Sequence, residues 1–366
     1  MTEENLMPYC HKLYNHVAIQ LPGYYTPCCI YKLPNSLPKV WAKDTSIEQW
    51  HNSKFMKRLR KDMDKGWNEG CIKCKEDEAA YGRSQRQESR FKTHYKQKKI
   101  TYLEISLSKE CNLSCKMCGP DYSTKWDTLY TNNKEILNPF MHGYPTNEIL
   151  DIENIFASVD LSTLSRIKYL GGEPFITPVT EKFLNFLIDK DLISKIDFYT
   201  NSNCTFFPKK YIDKLLQFKT VQIGLSIDGY KKSTEYSREG AKWSDIEKTI
   251  NKWKAIDAAN LLLTVSSTIN ALTVHDYSKL KLFCKEKGIH LYQYVLDNPN
   301  YLGLNALPPA YVESIIDDNN GVFFNNYKFD KNLFKEFCKY TKVSDNIQTK
   351  NIKDYIPNLA KLMEKS

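Results

Sequence analysis

From residue 101 onward, short apolar runs alternate with longer amphipathic segments. Six runs have the length and the β-branched and aromatic content of strands: TYLEISLS, RIKYLGG, KIDFYTN, VQIGLSI, LLLTVSSTI and IHLYQYVL. Helices are predicted between them, one after the first run and the others near 151–165, 178–190, 208–217, 243–257 and 275–287. Repeated strand–helix units of this kind form a parallel sheet with helices packed outside it.

Six strand–helix units are too few for a closed eight-stranded barrel. We therefore predict an α/β fold whose core, residues 100–305, is a partial, TIM-like (β/α)6 barrel. In such folds the chemistry lies on loops at the carboxyl ends of the strands. The motifs considered below follow predicted strands in this way.

The segments on either side of this repeat lack its rhythm. Residues 1–99 contain scattered cysteines, a PCC turn and a Trp-rich helical stretch, which predicts a small separate domain that binds metal. Residues 306–366 contain amphipathic segments such as AYVESIIDD and NLFKEFCKY. They predict a helical C-terminal tail.

Composition places the chain among globular proteins. Of its 366 residues, 42% are hydrophobic and 13% aromatic, which is enough for one large domain and a smaller one. No apolar run reaches the roughly 18 residues that a membrane span needs. The start, MTEENLMPYC, lacks the features of a signal peptide. We therefore expect a soluble, cytoplasmic protein with no membrane partner.

The charge balance is basic but diffuse. Lys and Arg number 52 against 43 Asp and Glu, which leaves a net charge of +9. The surplus is scattered, so we interpret it as a solvated Lys-rich surface. A basic face for an acidic or phosphorylated partner is the alternative. Nucleic-acid binding is not indicated.

The 11 cysteines are a stronger signal than the charge. In an intracellular protein, clustered cysteines bind metal or perform catalysis more often than they form disulfides. They fall into an N-terminal group, a compact triad and three singletons: Cys10, Cys28, Cys29, Cys71 and Cys74; Cys111, Cys115 and Cys118; Cys204, Cys284 and Cys338.

The triad Cys111, Cys115 and Cys118 follows the first predicted strand with C-x3-C-x2-C spacing. Iron–sulfur clusters are normally held by four cysteines, so three leave one iron free for another ligand. S-adenosylmethionine can chelate that iron through its amino and carboxylate groups. An electron from the cluster then breaks the sulfonium bond and releases a 5'-deoxyadenosyl radical. A zinc knuckle is the alternative interpretation.

At these residues the sequence resembles the radical S-adenosylmethionine (radical SAM) superfamily. The superfamily signature has the same spacing, with an aromatic or similar residue just before the last cysteine. Met117 occupies that position here, and it is a soft, adaptable substitute for a side chain that packs against adenine. The resemblance implies a 4Fe-4S cluster on the triad and an enzyme that abstracts a hydrogen atom from its substrate.

The second predicted strand ends in YLGGEPF. The resemblance implies that Gly171, Gly172, Glu173 and Pro174 form the loop that receives the methionyl amino group of the cofactor. Glycines allow close backbone approach, and an ammonium group needs an acceptor.

Two later strand ends fit the same cofactor more loosely. Thr200 and Asn201 in TNSN, and Ser226 and Asp228 in SIDG, stand where family members bind the ribose and the carboxylate. Arg238 in YSREG matches an arginine that related enzymes place near the methionyl carboxylate, which a guanidinium suits. A surface salt bridge is the alternative for Arg238.

The N-terminal cysteines also carry a resemblance. The segment CIKCKEDEAAYGRSQR looks like the auxiliary-cluster module called a twitch or SPASM-like domain. Here it precedes the barrel, as in the subgroup called twitch-domain radical SAM proteins. The resemblance implies a second 4Fe-4S cluster held by Cys10, Cys71, Cys74 and one or both of Cys28 and Cys29. A structural zinc is the alternative.

The singleton cysteines carry less information. Cys204, just beyond a strand end, is a candidate hydrogen-atom donor to a substrate radical. Cys284 and Cys338 lie in helical segments. A buried structural thiol is the expected role of all three.

The resemblance points to substrates only in broad terms. Relatives with auxiliary clusters often act on ribosomal peptides, so peptide modification by an iron–sulfur oxidoreductase is the first hypothesis. Sugar or nucleotide modification by the same chemistry is the alternative, and a non-catalytic iron–sulfur electron carrier is the non-enzymatic one. The expected partners are S-adenosylmethionine, the substrate and an electron donor such as flavodoxin or ferredoxin.

Overall fold

The computed structural model of the protein describes residues 9–34, 36–82, 84–87, 99–143, 150–157 and 159–364. Within them lie eight strands: β1 (His16–Gln20), β2 (Tyr24–Thr26), β3 (Tyr102–Ser106), β4 (Arg166–Leu170), β5 (Asp197–Ser202), β6 (Thr220–Ser226), β7 (Leu261–Ile269) and β8 (His290–Val295). They form one sheet in the order β2-β1-β3-β4-β5-β6-β7-β8. The six predicted strands correspond to β3–β8, and the predicted α/β fold with a parallel sheet is confirmed.

Along the chain, helices precede, connect and follow these strands. Those before β3 are α1 (Lys12–Asn15), α2 (Ile47–His51), α3 (Lys54–Met63) and α4 (Ile72–Tyr81). Those between β3 and β8 are α5 (Thr124–Asn132), α6 (Lys134–Leu137), α7 (Ile152–Phe156), α8 (Pro178–Asp189), α9 (Ile212–Leu215), α10 (Lys232–Ser237), α11 (Trp243–Lys254) and α12 (Tyr277–Lys287). After β8 come α13 (Pro309–Ile315), α14 (Lys331–Gln348) and α15 (Pro357–Met363), which confirm the helical C-terminal region.

Local sequence explains where several helices begin and which face they bury. The Thr177 side chain accepts a hydrogen bond from the Val179 amide, and Pro178 occupies the first helical position of α8. Helix α11 buries an apolar stripe at helical spacing: Trp243, Ile246, Ile250 and Trp253.

Two predicted helices are shorter than expected. Helix α7 ends at Phe156 rather than near residue 165, because Asp160 caps a separate 3-10 turn, Leu161–Thr163. The segment predicted at 208–217 divides into a 3-10 turn, Lys209–Tyr211, and the short α9. At Asp160 a short polar side chain favours such a local turn over a continued helix, whereas the turn at Lys209–Tyr211 has no side-chain cap.

The chain divides into two compact units. The first comprises 1–109, 146–199 and 213–221, and the second comprises 110–145, 200–212 and 222–366. The domain boundaries at residues 99 and 305 stay a prediction.

The first unit contains two strands that the sequence pattern did not reveal. Strand β1 pairs in parallel with β3, with Ile19 opposite Ile105, and β2 pairs antiparallel with β1. Four of the five β1 residues are buried, so HVAIQ shows no alternation. A short buried strand of this kind cannot be recognised by periodicity.

A buried polar chain crosses β1, β3 and β4 in the first unit. Glu104 Oε1 lies 2.8 Å from Lys168 Nζ, and Glu104 Oε2 lies 3.7 Å from Nε2 of the fully buried His16. Burial alone would raise the pKa of Glu104, but the Lys168 ammonium and the His16 ring hold it well below its usual value. The carboxylate is therefore ionised and depends on Lys168 for compensation.

The second unit contains β7, β8 and the C-terminal helices. Strand β7 pairs in parallel with β8, from Thr264 opposite His290 to Ile269 opposite Val295. One hydrophobic core joins the end of β7 to the last helices; its fully buried members include Ile269, Leu272, Leu302, Phe337 and Leu359. The C-terminal helices are thus part of a packed core.

Among the described residues, no helix combines the length and apolar character that crossing a membrane would require.

The Glu104–Lys168 pair generates a stability prediction. We expect Glu104→Gln to lower the free energy of unfolding by about 2 kcal/mol near pH 7, because it leaves the Lys168 ammonium, whose side chain is only 25% exposed, without its counter-charge. Since the pKa of Glu104 is lowered by folding, this contribution is present above the unfolded-state pKa of about 4.3 and is lost as the pH falls below it. Denaturant titrations between pH 3 and 7 would measure the difference.

Glu181→Gln is the matched control. Glu181 is half exposed and lies 3.3 Å from Lys214 Nζ, so we expect a loss under about 1 kcal/mol. Equal losses for the two variants, or a Glu104→Gln loss that persists undiminished at pH 3, would contradict the prediction.

Candidate functional site

The triad lies in the loop between β3 and α5, in the second unit. Cys115 is buried, and Cys111 and Cys118 are half-buried. The charges of Cys111 and Cys118 act on Cys115, so the three thiols lie near one another. The structure thus brings together the cysteines that the spacing singled out.

Side chains from α5 and its N-terminal cap hold the triad loop. The indole Nε1 of fully buried Trp126 donates to the carbonyl of Cys115 at 2.7 Å. Ser123 Oγ donates to the carbonyl of Leu113 at 2.5 Å and also caps α5. Buried loop carbonyls need such partners because no regular secondary structure supplies them.

A second segment runs alongside the triad loop. The Ser114 amide donates to the Glu239 carbonyl at 3.0 Å, and the Lys116 amide donates to the Ser237 carbonyl at 2.7 Å. These two bonds align the residue between Ser114 and Lys116 with the residue between Ser237 and Glu239. The aligned residues are Cys115 and Arg238.

Arg238 is held in a buried ion pair. Its Nε lies 2.8 Å from Asp228 Oδ2, and its Nη2 donates to Asp228 Oδ1 at 3.0 Å. Asp228 is fully buried and also accepts from the Thr268 amide at 2.8 Å. Arg238 thus forms the salt bridge that the sequence left open as the alternative, but its partner is fully buried and its own side chain is only 13% exposed; its contact with the cofactor stays a prediction.

The electrostatics of the site fit an anionic metal cluster. Burial raises the pKa of Cys118 to about 12. Burial also raises the pKa of Cys115, while the Arg238 guanidinium acts in the opposite direction. Without metal the thiols of Cys115 and Cys118 are therefore protonated at neutral pH, and iron binding must displace those protons. Arg238 places a positive charge where thiolates would form.

The TNSN segment supports the same loop. Asn203 Nδ2 donates to Asn112 Oδ1 at 2.8 Å, and Asn112 Nδ2 donates to Thr205 Oγ1 at 2.8 Å. Thr200 is fully buried, and Asn201 is half-buried at the end of β5. Asn203 of this motif thus contacts the triad loop, while the predicted contact of Thr200 and Asn201 with the cofactor stays a prediction.

The other residues of the second unit that the sequence analysis considered lie at strand ends or in the hydrophobic core. Ser226 is the last residue of β6 and is half-buried. Met117 packs against the C-terminal hydrophobic core. Cys204 is fully buried near Arg238. Cys284 and Cys338 are buried in α12 and α14, as expected of structural thiols.

The GGEP loop lies in the first unit, directly after β4. The Gly172 amide donates to the Ser108 carbonyl at 3.0 Å. A Cβ atom on Gly171 would lie 2.6 Å from the same carbonyl oxygen, so only glycine fits there. Glu173 is buried and accepts from the Phe175 amide, and Pro174 is buried beside it. The loop is therefore fixed by a close backbone approach.

Four N-terminal cysteines of the first unit line one cavity: Cys10, Cys28, Cys71 and Cys74. Burial and the charges of the other three raise the pKa of Cys71. Burial likewise raises the pKa of Cys28 to about 12. Four thiols are thus near one another, which is the number that a complete cluster requires.

Cys29 does not line this cavity. Its Sγ lies 3.5 Å from Gln85 Oε1, and its electrostatic neighbours include Glu104 and Lys168. Adjacent residues point apart, and the geometry therefore separates Cys28 from Cys29.

Cations accompany the N-terminal thiols. Lys12 is buried, lines the cavity and donates from Nζ to Gln85 Oε1 at 2.8 Å. Its charge acts against burial on the pKa of both Cys10 and Cys28. A positive charge here would compensate thiolates, as Arg238 does at the triad.

Three features follow Cys74 in this segment: the acidic residue Glu78, then Gly82, then the Ser-x-Arg sequence of Ser84 and Arg86. Glu78 accepts hydrogen bonds from Ser84 Oγ and Arg86 Nη2, each at 2.5 Å. Gly82, with φ of +68°, ends α4 in the left-handed conformation and turns the chain back. Arg86 then lines the cysteine cavity.

Within the described ranges, no three His, Cys, Asp or Glu side chains converge to hold one metal ion. A cubane has a different requirement, because each cysteine binds a different iron.

The chain is similar to one protein family and to several curated relatives over part of its length. Residues 105–281 match the family described as the Radical SAM superfamily. The chain is 21% identical over 196 residues to a GTP 3',8-cyclase of Aliarcobacter butzleri, covering 52% of this chain and 54% of the relative. It is 26% identical over 176 residues to the radical SAM cyclopropyl synthase TigE of Paramaledivibacter caminithermalis, covering 47% and 36%.

Among solved structures, Streptococcus suis SuiB bound to S-adenosylmethionine is 13% identical, with a TM-score of 0.38; the match covers 81% of this chain and 54% of that one. The chain spans about half the length of the first curated relative. The matched segment, residues 105–281, therefore resembles the radical SAM superfamily over just under half of the chain.

Proposed function

We propose that the protein reductively cleaves S-adenosylmethionine at a 4Fe-4S cluster held by Cys111, Cys115 and Cys118, and abstracts a hydrogen atom from a substrate. The observation that carries the proposal is that three thiols lie near one another in one loop, whose backbone is held by side-chain hydrogen bonds, beside the Arg238 guanidinium. When bound, the cluster supplies the electron that breaks the sulfonium bond. The chain's own contribution is to position the three ligands and to leave one iron free.

Several residues are proposed to bind the cofactor. Arg238 lies alongside Cys115, which suits a guanidinium that recognises the methionyl carboxylate. Its pairing with Asp228 fixes its orientation in advance, which lowers the entropic cost of binding. The other proposed contacts are those that the resemblance implied: Met117, Gly171, Gly172, Glu173, Pro174, Thr200, Asn201, Ser226 and Asp228.

A second cluster is proposed for the N-terminal cavity, with Cys10, Cys28, Cys71 and Cys74 as ligands. The number of thiols and the buried Lys12 beside them support it. This cluster would accept an electron from the substrate or anchor the substrate. A structural zinc is the competing occupant.

The substrate class has two candidates. Peptide modification is the first, on the resemblance of the N-terminal segment to auxiliary-cluster modules. A nucleotide is the second, because several curated relatives are named GTP 3',8-cyclase. Stimulation of 5'-deoxyadenosine formation by GTP, against none with peptide substrates, would favour the second candidate.

The triad generates the first prediction. After anaerobic reconstitution with iron and sulfide, we expect about eight irons per chain and 5'-deoxyadenosine on dithionite reduction with S-adenosylmethionine. A Cys111→Ala, Cys115→Ala, Cys118→Ala variant should keep about four irons and lose the product. A fully loaded wild type that forms no 5'-deoxyadenosine would contradict the enzymatic function and favour an electron carrier.

The cysteine pair generates the second prediction. Cys28→Ser should lose about four of the eight irons, because it removes a ligand that lines the cavity. Cys29→Ser, its neighbour and matched control, should retain about eight. Iron and zinc would be counted by elemental analysis. Iron loss from Cys29→Ser would refute the ligand set. Zinc in place of four irons in the wild type would refute the second cluster.

The GGEP loop generates the third prediction. Gly171→Ala forces a Cβ against the Ser108 carbonyl, so the loop must move. We expect binding of S-adenosylmethionine to weaken by about 10- to 100-fold, since small displacements of positioning groups have effects of that size. Iron content should be unchanged. Gly66→Ala, where a Cβ meets no atom within 4 Å, is the control. Unchanged affinity in Gly171→Ala, by calorimetric titration, would exclude this loop.

A further inference from the structure

We propose that Lys116, together with Tyr340, Ser344, Asp345 and Gln348 of α14, positions the triad loop and sets the reduction potential of its cluster. We call these four α14 residues the C-terminal clamp. The inference rests on the proposed function, since it concerns the same cluster. It assigns to α14 a role in the chemistry of a site more than 200 residues earlier in the chain.

Lys116 lies between Cys115 and Cys118, yet its side chain turns away from solvent and is 1% exposed. Its Nζ donates to Ser344 Oγ at 3.1 Å, Asp345 Oδ1 at 2.8 Å and Gln348 Oε1 at 3.0 Å. An ammonium has three donors, and all three are used. A buried charge with this full set of partners has one orientation.

The same helix also binds the backbone of the loop. Tyr340 Oη donates to the Lys116 carbonyl at 2.6 Å, and Gln348 Nε2 donates to the Ser114 carbonyl at 2.7 Å. These two carbonyls flank Cys115. The clamp therefore contacts the loop at its backbone on both sides of the buried ligand, in addition to its contact with the Lys116 side chain.

The apolar side of α14 completes the contact. Val343 and Ile347 pack in a small hydrophobic cluster with Trp126, and half-buried Cys118 packs against the same cluster. Trp126 is also the residue that binds the Cys115 carbonyl. Polar and apolar residues of one helix thus reach both Cys115 and Cys118.

Asp345 is itself oriented from two further directions. Its Oδ1 accepts from Tyr236 Oη at 2.8 Å, and its Oδ2 accepts from the Ile352 amide at 2.8 Å. The Tyr236 ring also lies 4.5 Å from Lys116 Nζ. The Asp345 carboxylate is therefore held in one orientation by Tyr236 and the Ile352 amide as well as by Lys116.

This arrangement brings two opposite charges, those of Lys116 and Asp345, to the contact between the ligand loop and α14, and a cluster held by that loop would be anionic. Iron–sulfur potentials depend on nearby charge and on hydrogen bonds around the ligands. Removing the cation should make the cluster harder to reduce, and removing the anion should make it easier. A residue that only stabilised the fold would not shift the potential in opposite directions in the two variants.

The test uses the full chain, reconstituted with iron and sulfide, in three variants: Lys116→Met, Asp345→Asn and the control Lys342→Met. Lys342 is an exposed lysine of the same helix. The potential of the triad cluster is measured by a redox titration monitored by electron paramagnetic resonance, without S-adenosylmethionine. We expect a negative shift for Lys116→Met, a positive shift for Asp345→Asn and none for Lys342→Met. Cleavage of S-adenosylmethionine should fall at least 10-fold in Lys116→Met at full iron content.

Tyr340→Phe is a second measurement if Lys116→Met does not fold. It removes one hydrogen bond to the loop and no charge, so cleavage should slow at unchanged iron content. Wild-type potentials in both charge variants, or shifts of the same sign in both, would overturn the role of the clamp. A wild type without cleavage would instead overturn the proposed function, and the potential shifts would still decide the role of Lys116.

Discussion

Four consecutive carbonyl groups, from Leu113 to Lys116, each accept a hydrogen bond from a side chain outside the loop. The need to pair the carbonyl groups of this buried, irregular backbone is the constraint on which the rest of the site depends. The donors come from the first turn of α5, its cap and α14, so the loop takes its shape from the helix that follows it and from a second helix more than 200 residues later. The cysteines can point inward because their backbone is already paired.

Both cysteine sites have a positive charge beside buried thiols, but the charged residue and its partner differ between them. At the triad, a guanidinium held by a buried carboxylate stands beside Cys115. In the N-terminal cavity, a buried lysine held by Gln85 stands beside Cys10 and Cys28. In each case a positive charge is fixed before any thiolate forms, which favours deprotonation of groups that burial otherwise keeps neutral.

Sequence reasoning recovered the strands after residue 101 because their apolar runs and the helices between them have distinct periods. It also found the cysteines, since their spacing is a local property. It did not reveal β1, whose buried run has no alternation, or Trp126 and Asn203, whose hydrogen bonds to the triad loop follow no local sequence pattern. The sequence pattern described α14 only as an amphipathic tail, because nothing local distinguishes Asp345 from a solvated carboxylate.

The distance along the chain between Lys116 and its partners has a consequence for biosynthesis. Tyr340 and Gln348 are made after more than 200 further residues have followed the loop. A nascent chain therefore has its cysteines long before it has the helix that orients them. The hydrogen bonds from α14 to the triad loop therefore form late in synthesis, and chains that end before residue 340 lack them.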